Sequence, residues 1–469
     1  MSAPVLGPDR NPVSRSTPRS WRIGIATGLV VIVGLAYLLQ DGPPQVRAGL
    51  GVLGFIGLAC FFSTNLRAVN WRLIGAGLAL QLMLAGLILY VEPVFRFFRE
   101  VGEVIRKFID FTDAGAAFVF GPLMDTETLE KGLGKGNGFI FAIKALPAVI
   151  FVSSFFTVLY YLGILQFIVK LFARVMVWVM GTSGAETLSA TANVFMGQTE
   201  APLIVRPYIP KMTRSELLAL MVGGMATISG GVMVAYVGML DQIGLSNQVY
   251  AILATSVMAA PCGLYVAKIL VPETEVPITR GEVKVDIPRT HANVFDAAAE
   301  GASEGMKLVL NITAMLIAFI AFVALVNHLL LKLDESLGLQ QLLQLPAPLS
   351  LQLIFSGVFA PLALLMGVSV PDVPKVAELL GTKLVLNEFV AYLVLTDKFA
   401  GQLETRSVTL LAFALTGFAN FASIGIQLGG IGAMAPDRRG ELARLGLLAL
   451  AGGFLATLIN AAIAGMLLH

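Results

Sequence analysis

The sequence predicts an all-α polytopic membrane protein built on an internally repeated plan, and three observations carry that prediction. Of 469 residues, 57% are hydrophobic and 13% are charged, about half the ~25% charge of a soluble domain; the mean hydropathy is +0.82. The apolar residues gather in runs long enough to cross a hydrocarbon layer ~30 Å thick. The order of segment types before the hydrophilic connection 272–293 recurs after it, as expected of internally repeated transporters. An ordinary cytosolic enzyme is excluded. With 32 Lys and Arg against 30 Asp and Glu, the net charge of +2 lacks the basic surplus that marks a nucleic-acid partner. Cys60 and Cys262 sit in apolar runs without metal-ligand spacing.

Residues 1–20, with four prolines and three arginines, read as a disordered tail. The apolar run 21–40 ends in Gln40-Asp41-Gly42-Pro43-Pro44 without a small-residue cleavage site, so it reads as a retained spanning helix rather than a signal peptide. Spans follow at 48–62 and 73–91. Over 94–111, Val94, Phe98, Val101, Ile105 and Phe108 recur at helical spacing while Arg96, Arg99, Glu103, Arg106, Lys107 and Asp110 fill the other face, the pattern of a helix lying on the membrane surface. After a span at 138–162 and a shorter amphipathic piece at 164–180, the stretch 182–208 carries Asn193, Gln198, Thr199 and Glu200 and is too polar to face lipid. Spans 217–240 and 249–270 lead to the connection. Beyond it come a span (307–331), an apolar piece (350–367), a polar-interrupted stretch holding Glu388 (373–395) and two spans (408–432, 442–468), the same order again.

Charge sorting orients the chain. With a cytoplasmic N-terminus and each polar-interrupted stretch taken as a re-entrant hairpin, 19 cations and 12 acids fall inside, against 12 cations and 16 acids outside, setting aside Lys144, Glu200 and Glu388. The balance of +7 inside and −4 outside follows the positive-inside rule. It places the C-terminus outside and makes the two hairpins enter from opposite faces.

Glu200 and Glu388 occupy matching places in the two halves, at membrane depth, where a carboxylate costs about 2.5–3.5 kcal/mol. A purely structural role, capping a hairpin helix or pairing with Lys144, is the plain alternative. Each half also holds an interrupted helix: Ala226-Thr227-Ile228-Ser229-Gly230-Gly231 and Gly417-Phe418-Ala419-Asn420-Phe421-Ala422-Ser423. Unwound backbone at this depth is tolerated where it lines a cavity, and its carbonyls suit a small hard cation such as Na⁺; close helix packing is the competing use of the same small residues.

The run Gly197–Pro202 (Gly-Gln-Thr-Glu-Ala-Pro), the run Asn387–Tyr392 (Asn-Glu-Phe-Val-Ala-Tyr), Gly417–Asn420 with Ser423, and the run Gly429–Arg439 resemble the concentrative nucleoside transporters, in the same order over 50–469. The resemblance implies eight core spanning helices plus the extra N-terminal one, two re-entrant hairpins, inverted repeats, and a homotrimer with elevator-like movement. In this reading 46–162, with the interfacial helix 94–111, and 294–332 supply scaffold helices. The first transport repeat is 163–271, comprising hairpin 182–208, broken helix 215–240 and helix 249–270; 272–293 is the cytoplasmic connection. The second is 350–469, comprising hairpin 370–395, broken helix 407–432 and helix 441–468. The resemblance further implies that Gln198, Thr199, Glu200 and Val232 contact the nucleobase, that Glu388, Asn420 and Ser423 hold the ribose, and that Phe418 lines the pocket. It places Na⁺ on Asn193 and Thr227 and on the carbonyls of Met196 and Ile228. Thr227 stands where serine is common, and Ala422 replaces a frequent hydroxyl.

The implied protein is a secondary transporter of the bacterial inner membrane, without enzymatic activity, importing nucleosides of the uridine, cytidine and adenosine class by Na⁺ symport. Proton coupling through Glu200 or Glu388 is the runner-up. A membrane-embedded enzyme using the two acids as acid and base, or a channel, are the remaining classes. His328 reads as an interfacial histidine, and His291 falls in the hydrophilic connection.

Overall fold

The computed structural model describes residues 16–134, 140–144, 146–244, 249–281 and 291–468. The tail up to residue 15, residues 282–290 of the hydrophilic connection and the C-terminal His469 lie outside the described residues. Apart from one isolated bridge between Ser183 and Arg280, the described residues are helices and turns. Among the described residues, eight helices are long and apolar enough to cross a membrane: Arg19–Leu38, Pro44–Phe62, Trp71–Tyr90, Ala142–Tyr161, Arg214–Asp241, Val249–Leu270, Val294–Leu337 and Pro436–Leu467. A further crossing is split into two short halves, Thr405–Leu415 and Phe421–Met434. This gives eight core crossings plus the N-terminal helix.

Local chemistry sets the helix ends. Pro44 occupies the first turn of its helix, where its missing N–H costs nothing. Asn70 and Asn293 accept from the N–H groups of Leu73 and Asp296. The amphipathic helix runs over Glu92–Phe120, longer than the expected 94–111, because nothing after residue 111 breaks it before Gly121 (φ +55°) and Pro122. Likewise Val294–Leu337 runs past 332 to Gly338 (φ +61°).

Two layers of packing emerge. The first is a pair made by Leu146–Tyr161 and Val294–Leu337. Gly301 and Gly305 lie so close to their neighbours that an added Cβ would stand 2.7 Å from the Cα of Ser154 and of Ile150, respectively. Small residues four apart let the two backbones approach, and Ser154 Oγ donates to the Ala298 carbonyl at 2.8 Å.

The second layer is the body that carries the hairpins and broken helices. Pro44–Phe62 packs against Arg439–Leu467 of this body, and Trp71–Tyr90 against Val249–Leu270. Mid-span Gln81 donates to Asn460 Oδ1 at 2.5 Å and accepts from Tyr265 OH at 2.7 Å, so its amide is satisfied inside this body, as a polar group at that depth requires. Gly51 lies directly against the Leu365 carbonyl. The N-terminal helix leans on Pro44–Phe62, with Leu29 and Ile32 filling the space left by Gly57 and Gly54.

The hairpins open toward opposite ends of Pro44–Phe62. At its C-terminal end, Thr64 N donates to the Leu270 carbonyl at 2.8 Å. Beside that contact Lys268 pairs with Glu186 of the first hairpin at 2.7 Å and with Glu273 at 3.1 Å. At its N-terminal end, Arg47 donates to the Val368 carbonyl at 3.0 Å, just before the second hairpin, while Arg406 reaches the carbonyls of Gly367, Leu468 and Gly465 at 3.0, 2.7 and 2.6 Å. The repeat is therefore inverted.

Candidate functional site

The first hairpin rises as Gly184–Ala192, turns over 193–200 and returns through the short helix Ala201–Ile204. Its entry is a capping box, Ser183 with Glu186. The second rises as Val373–Val385, turns at Leu386 and Asn387, and returns as Glu388–Asp397; Asn387 caps the return helix by accepting from Val390 N at 2.8 Å. The first broken helix, Arg214–Ala226 and Gly230–Gln242, restarts at the cap Ser229. The second, Thr405–Leu415 and Phe421–Met434, restarts at the cap Asn420.

The two breaks touch. Phe418 N donates to the Thr227 carbonyl at 3.1 Å, and Gly417, at φ +154°, sits where a Cβ would fall 3.1 Å from the carbonyls of Met225 and Ala226. The N-terminal ends of half-helices, which carry partial positive charge, thus gather with both hairpin tips in one region.

A chain of hydrogen bonds crosses that region. Gln198 of the first tip donates to Ser423 Oγ at 3.1 Å. Ser423 N donates to Asn420 Oδ1 at 2.9 Å, and Asn420 Nδ2 donates to Glu388 Oε2 at 3.0 Å. Glu388 Oε1 accepts from Tyr236 OH at 2.9 Å. Glu388 is 4% exposed, so its carboxylate depends on these donors for compensation. The Tyr236 ring stacks on Tyr392 with centroids 4.4 Å apart, which fixes its hydroxyl. Gln427 holds Gln198 in turn, donating to its Oε1 at 3.2 Å and to the Met221 carbonyl at 3.0 Å. Val232 is buried in the first turn after Ser229, and Phe418 is half-buried in the opposite break.

The two acids that match in sequence differ in surroundings. Glu200 is exposed and its carboxylate folds back over Gly197, filling the space a side chain there would need. Thr199 occupies the notch left by Gly430. Neither acid meets Lys144, which instead donates to the Met124 carbonyl.

Asn193 ends the rising limb of the first hairpin and is fully buried. Its Nδ2 donates to the Ser189 carbonyl at 3.0 Å, yet its Oδ1 and the neighbouring Ser189 Oγ have no hydrogen-bond partner among the described residues. Gly223 approaches the Asn193 amide closely. Thr227 Oγ1 donates to the Gly223 carbonyl at 2.9 Å, leaving its lone pairs for another group. Met196 and Ile228 stand on the same turn and the same break. A buried amide oxygen with no donor calls for a water or an ion.

Three residues of this region carry no signal in the sequence alone. Tyr236 and Gln427 read as ordinary members of apolar helices. Lys383, counted above with the outside charges, is instead 0% exposed in the core of the second hairpin.

Residues 50–123 match the family model described as Na⁺ dependent nucleoside transporter N-terminus, and 251–465 the corresponding C-terminus model. Residues 142–243 match a model described as nucleoside recognition. Over 460 residues the chain is 41% identical to the mouse sodium/nucleoside cotransporter 1, covering 95% of this chain and 67% of that one. Over 422 residues it is 42% identical to an uncharacterized transporter of Haemophilus influenzae, covering 89% and 96%. Among solved structures it resembles CNTnw in an inward-facing substrate-bound state, with a TM-score of 0.81, 39% identity and coverage of 90% of this chain and 97% of that one. The chain therefore belongs to the concentrative nucleoside transporter family, multi-pass membrane transporters and not enzymes.

Proposed function

We propose that this chain imports nucleosides of the uridine, cytidine and adenosine class by symport with Na⁺ across the bacterial inner membrane. The observation that carries the reading is the buried Glu388. A carboxylate has about four lone-pair sites; Tyr236 and Asn420 each take one, which leaves capacity for ribose hydroxyls. Ser423 and Asn420 extend the ribose contact. Gln198, Thr199, Glu200, Val232 and Phe418 surround the base, and Gln198 offers both a donor and an acceptor. An anionic substrate would need cationic partners instead.

The residues present fit Na⁺. Asn193 Oδ1 is a buried oxygen without a partner among the described residues, and Thr227 Oγ1 with the carbonyls of Met196 and Ile228 completes a hard oxygen set. The bound ion supplies the driving force, about 2.3 kcal/mol per charge at ~100 mV plus about 1.4 kcal/mol for a tenfold gradient, enough for roughly 500-fold accumulation. Coupling follows from the turn itself: Asn193 and Gln198 lie five residues apart on one hairpin tip, so an ion that orders the turn also orders the base contact.

In this reading the hairpin-bearing body moves, elevator fashion, against the pair Leu146–Tyr161 and Val294–Leu337. The latter exposes Leu310, Ile317, Phe322 and Leu325, an apolar face that suits lipid and the neighbouring copies of a homotrimer. The end where the first hairpin opens is cytoplasmic, with the N-terminus; the C-terminus is periplasmic. Radiolabelled uridine uptake by the Glu388→Gln variant tests the assignment: uptake is lost while assembly persists, and wild-type uptake in that variant contradicts it.

A further inference from the structure

Lys383 holds a place in the second repeat equivalent to that of Asn193 in the first. Each lies at the end of the rising limb of its hairpin, Asn193 just after Ala192 and Lys383 two residues before Val385. Each faces the end of the first half of its own broken helix. There Gly223 closes on the Asn193 amide, and Lys383 Nζ donates to the Ala414 carbonyl at 2.6 Å. The second contact of Nζ is Thr457 Oγ1 at 2.9 Å, an oxygen whose own proton goes to the Phe454 carbonyl. The Phe454 ring lies 5.6 Å from the nitrogen, within cation–π range. Two oxygen acceptors and an aromatic ring make the shell of a monovalent cation, and Lys383 fills it from within the chain.

We infer that Lys383 is a tethered cation: its ammonium group occupies, in the second repeat, the position that an exchangeable cation takes in the first, and it positions Glu388 and the second break for substrate. The comparison of the two positions rests on the reading of Asn193 as a cation ligand. The tether leaves one exchangeable cation per transport cycle. Removing the ammonium exposes a latent cation site between the second hairpin and the Ala414 carbonyl. Lys383 acts through Glu388 and the broken helix and touches no substrate itself.

The test uses the purified full-length protein, with thermal unfolding followed in NaCl, in choline chloride and in propylammonium chloride at constant ionic strength. Loss of the Na⁺ response in Asn193→Ala supports the first-repeat site on which the comparison rests; a retained response defeats that site alone. In Asn193→Ala/Lys383→Ala, a melting shift that returns with Na⁺ or propylammonium supports the tethered cation. No cation response in that double variant, where Asn193→Ala alone has lost it, overturns the inference. Uridine uptake gives a second reading. Lys383→Ala is restored at least severalfold by propylammonium but not by neutral propanol, whereas equal effects of the two, or none, overturn the inference. Should Lys383→Ala not fold, Lys383→Arg and Lys383→Met decide: retained uptake in the first with a roughly tenfold or greater loss in the second supports a charge requirement, and wild-type uptake in Lys383→Met overturns it.

Discussion

Asn420 donates its amide to Glu388 Oε2 at 3.0 Å while its Oδ1 accepts from Ser423 N at 2.9 Å. One side chain thereby both restarts the broken helix and holds the carboxylate of the other hairpin. The two contacts fix the amide orientation, because only the nitrogen end can donate to Glu388.

Asn420→Asp keeps the helix cap, since aspartate caps as well as asparagine, but sets a carboxylate against Glu388. Uridine uptake falls about 10- to 150-fold or more, the equivalent of a hydrogen bond to a charged group worth about 1.5–3 kcal/mol. Uptake assays in cells expressing equal amounts of the two proteins check this.

Tyr236→Phe removes the other donor to Glu388 and leaves the ring stacked on Tyr392. The half-saturating nucleoside concentration rises roughly tenfold or more, and the melting temperature falls by a few degrees because the buried carboxylate loses a donor while the ring packing persists. Concentration-dependent uptake and thermal unfolding of the purified variant measure the two effects separately.

Asn193→Ala removes the unpaired oxygen at the first hairpin tip. It raises the Na⁺ concentration for half-maximal uptake several-fold and leaves the nucleoside contacts in place. A Na⁺ titration of uridine uptake at saturating nucleoside reads this directly.

Lys268→Met breaks the buried cluster in which Lys268 meets Glu186, Glu273 and Ser215, leaving Glu186 buried without its cation. Loss of one partner of a buried ion pair costs about 3–5 kcal/mol, so the melting temperature drops by several degrees. Thermal unfolding in detergent checks this.

The sequence makes the membrane class, the crossings and both breaks legible because each leaves a local signature: an apolar run, a Gly with a hydroxyl residue at mid-span, an acid where none is cheap. Glu388, Asn420 and Ser423 were readable in this way and come together in three dimensions. What escaped depends on distant partners. Gln81 gives no sign that Asn460 and Tyr265 await it, so the packing of its helix with the hairpin body is invisible until the chain folds. Tyr236 and Gln427 act across more than 150 residues of chain. Lys383 counts with the outside charges in sequence because burial of its ammonium is decided by Ala414 and Thr457, not by its neighbours in the chain. The equivalence of Glu200 and Glu388, drawn from their matching places, ends at position, since Glu200 is exposed and Glu388 is not.

The most direct test of Na⁺-driven nucleoside transport is uptake of labelled uridine and adenosine into proteoliposomes, with Na⁺ and pH gradients imposed separately. An inward Na⁺ gradient drives accumulation above equilibrium in the wild type and none in Glu388→Gln. Accumulation that ignores Na⁺ and follows the pH gradient, or wild-type accumulation in Glu388→Gln, contradicts the account.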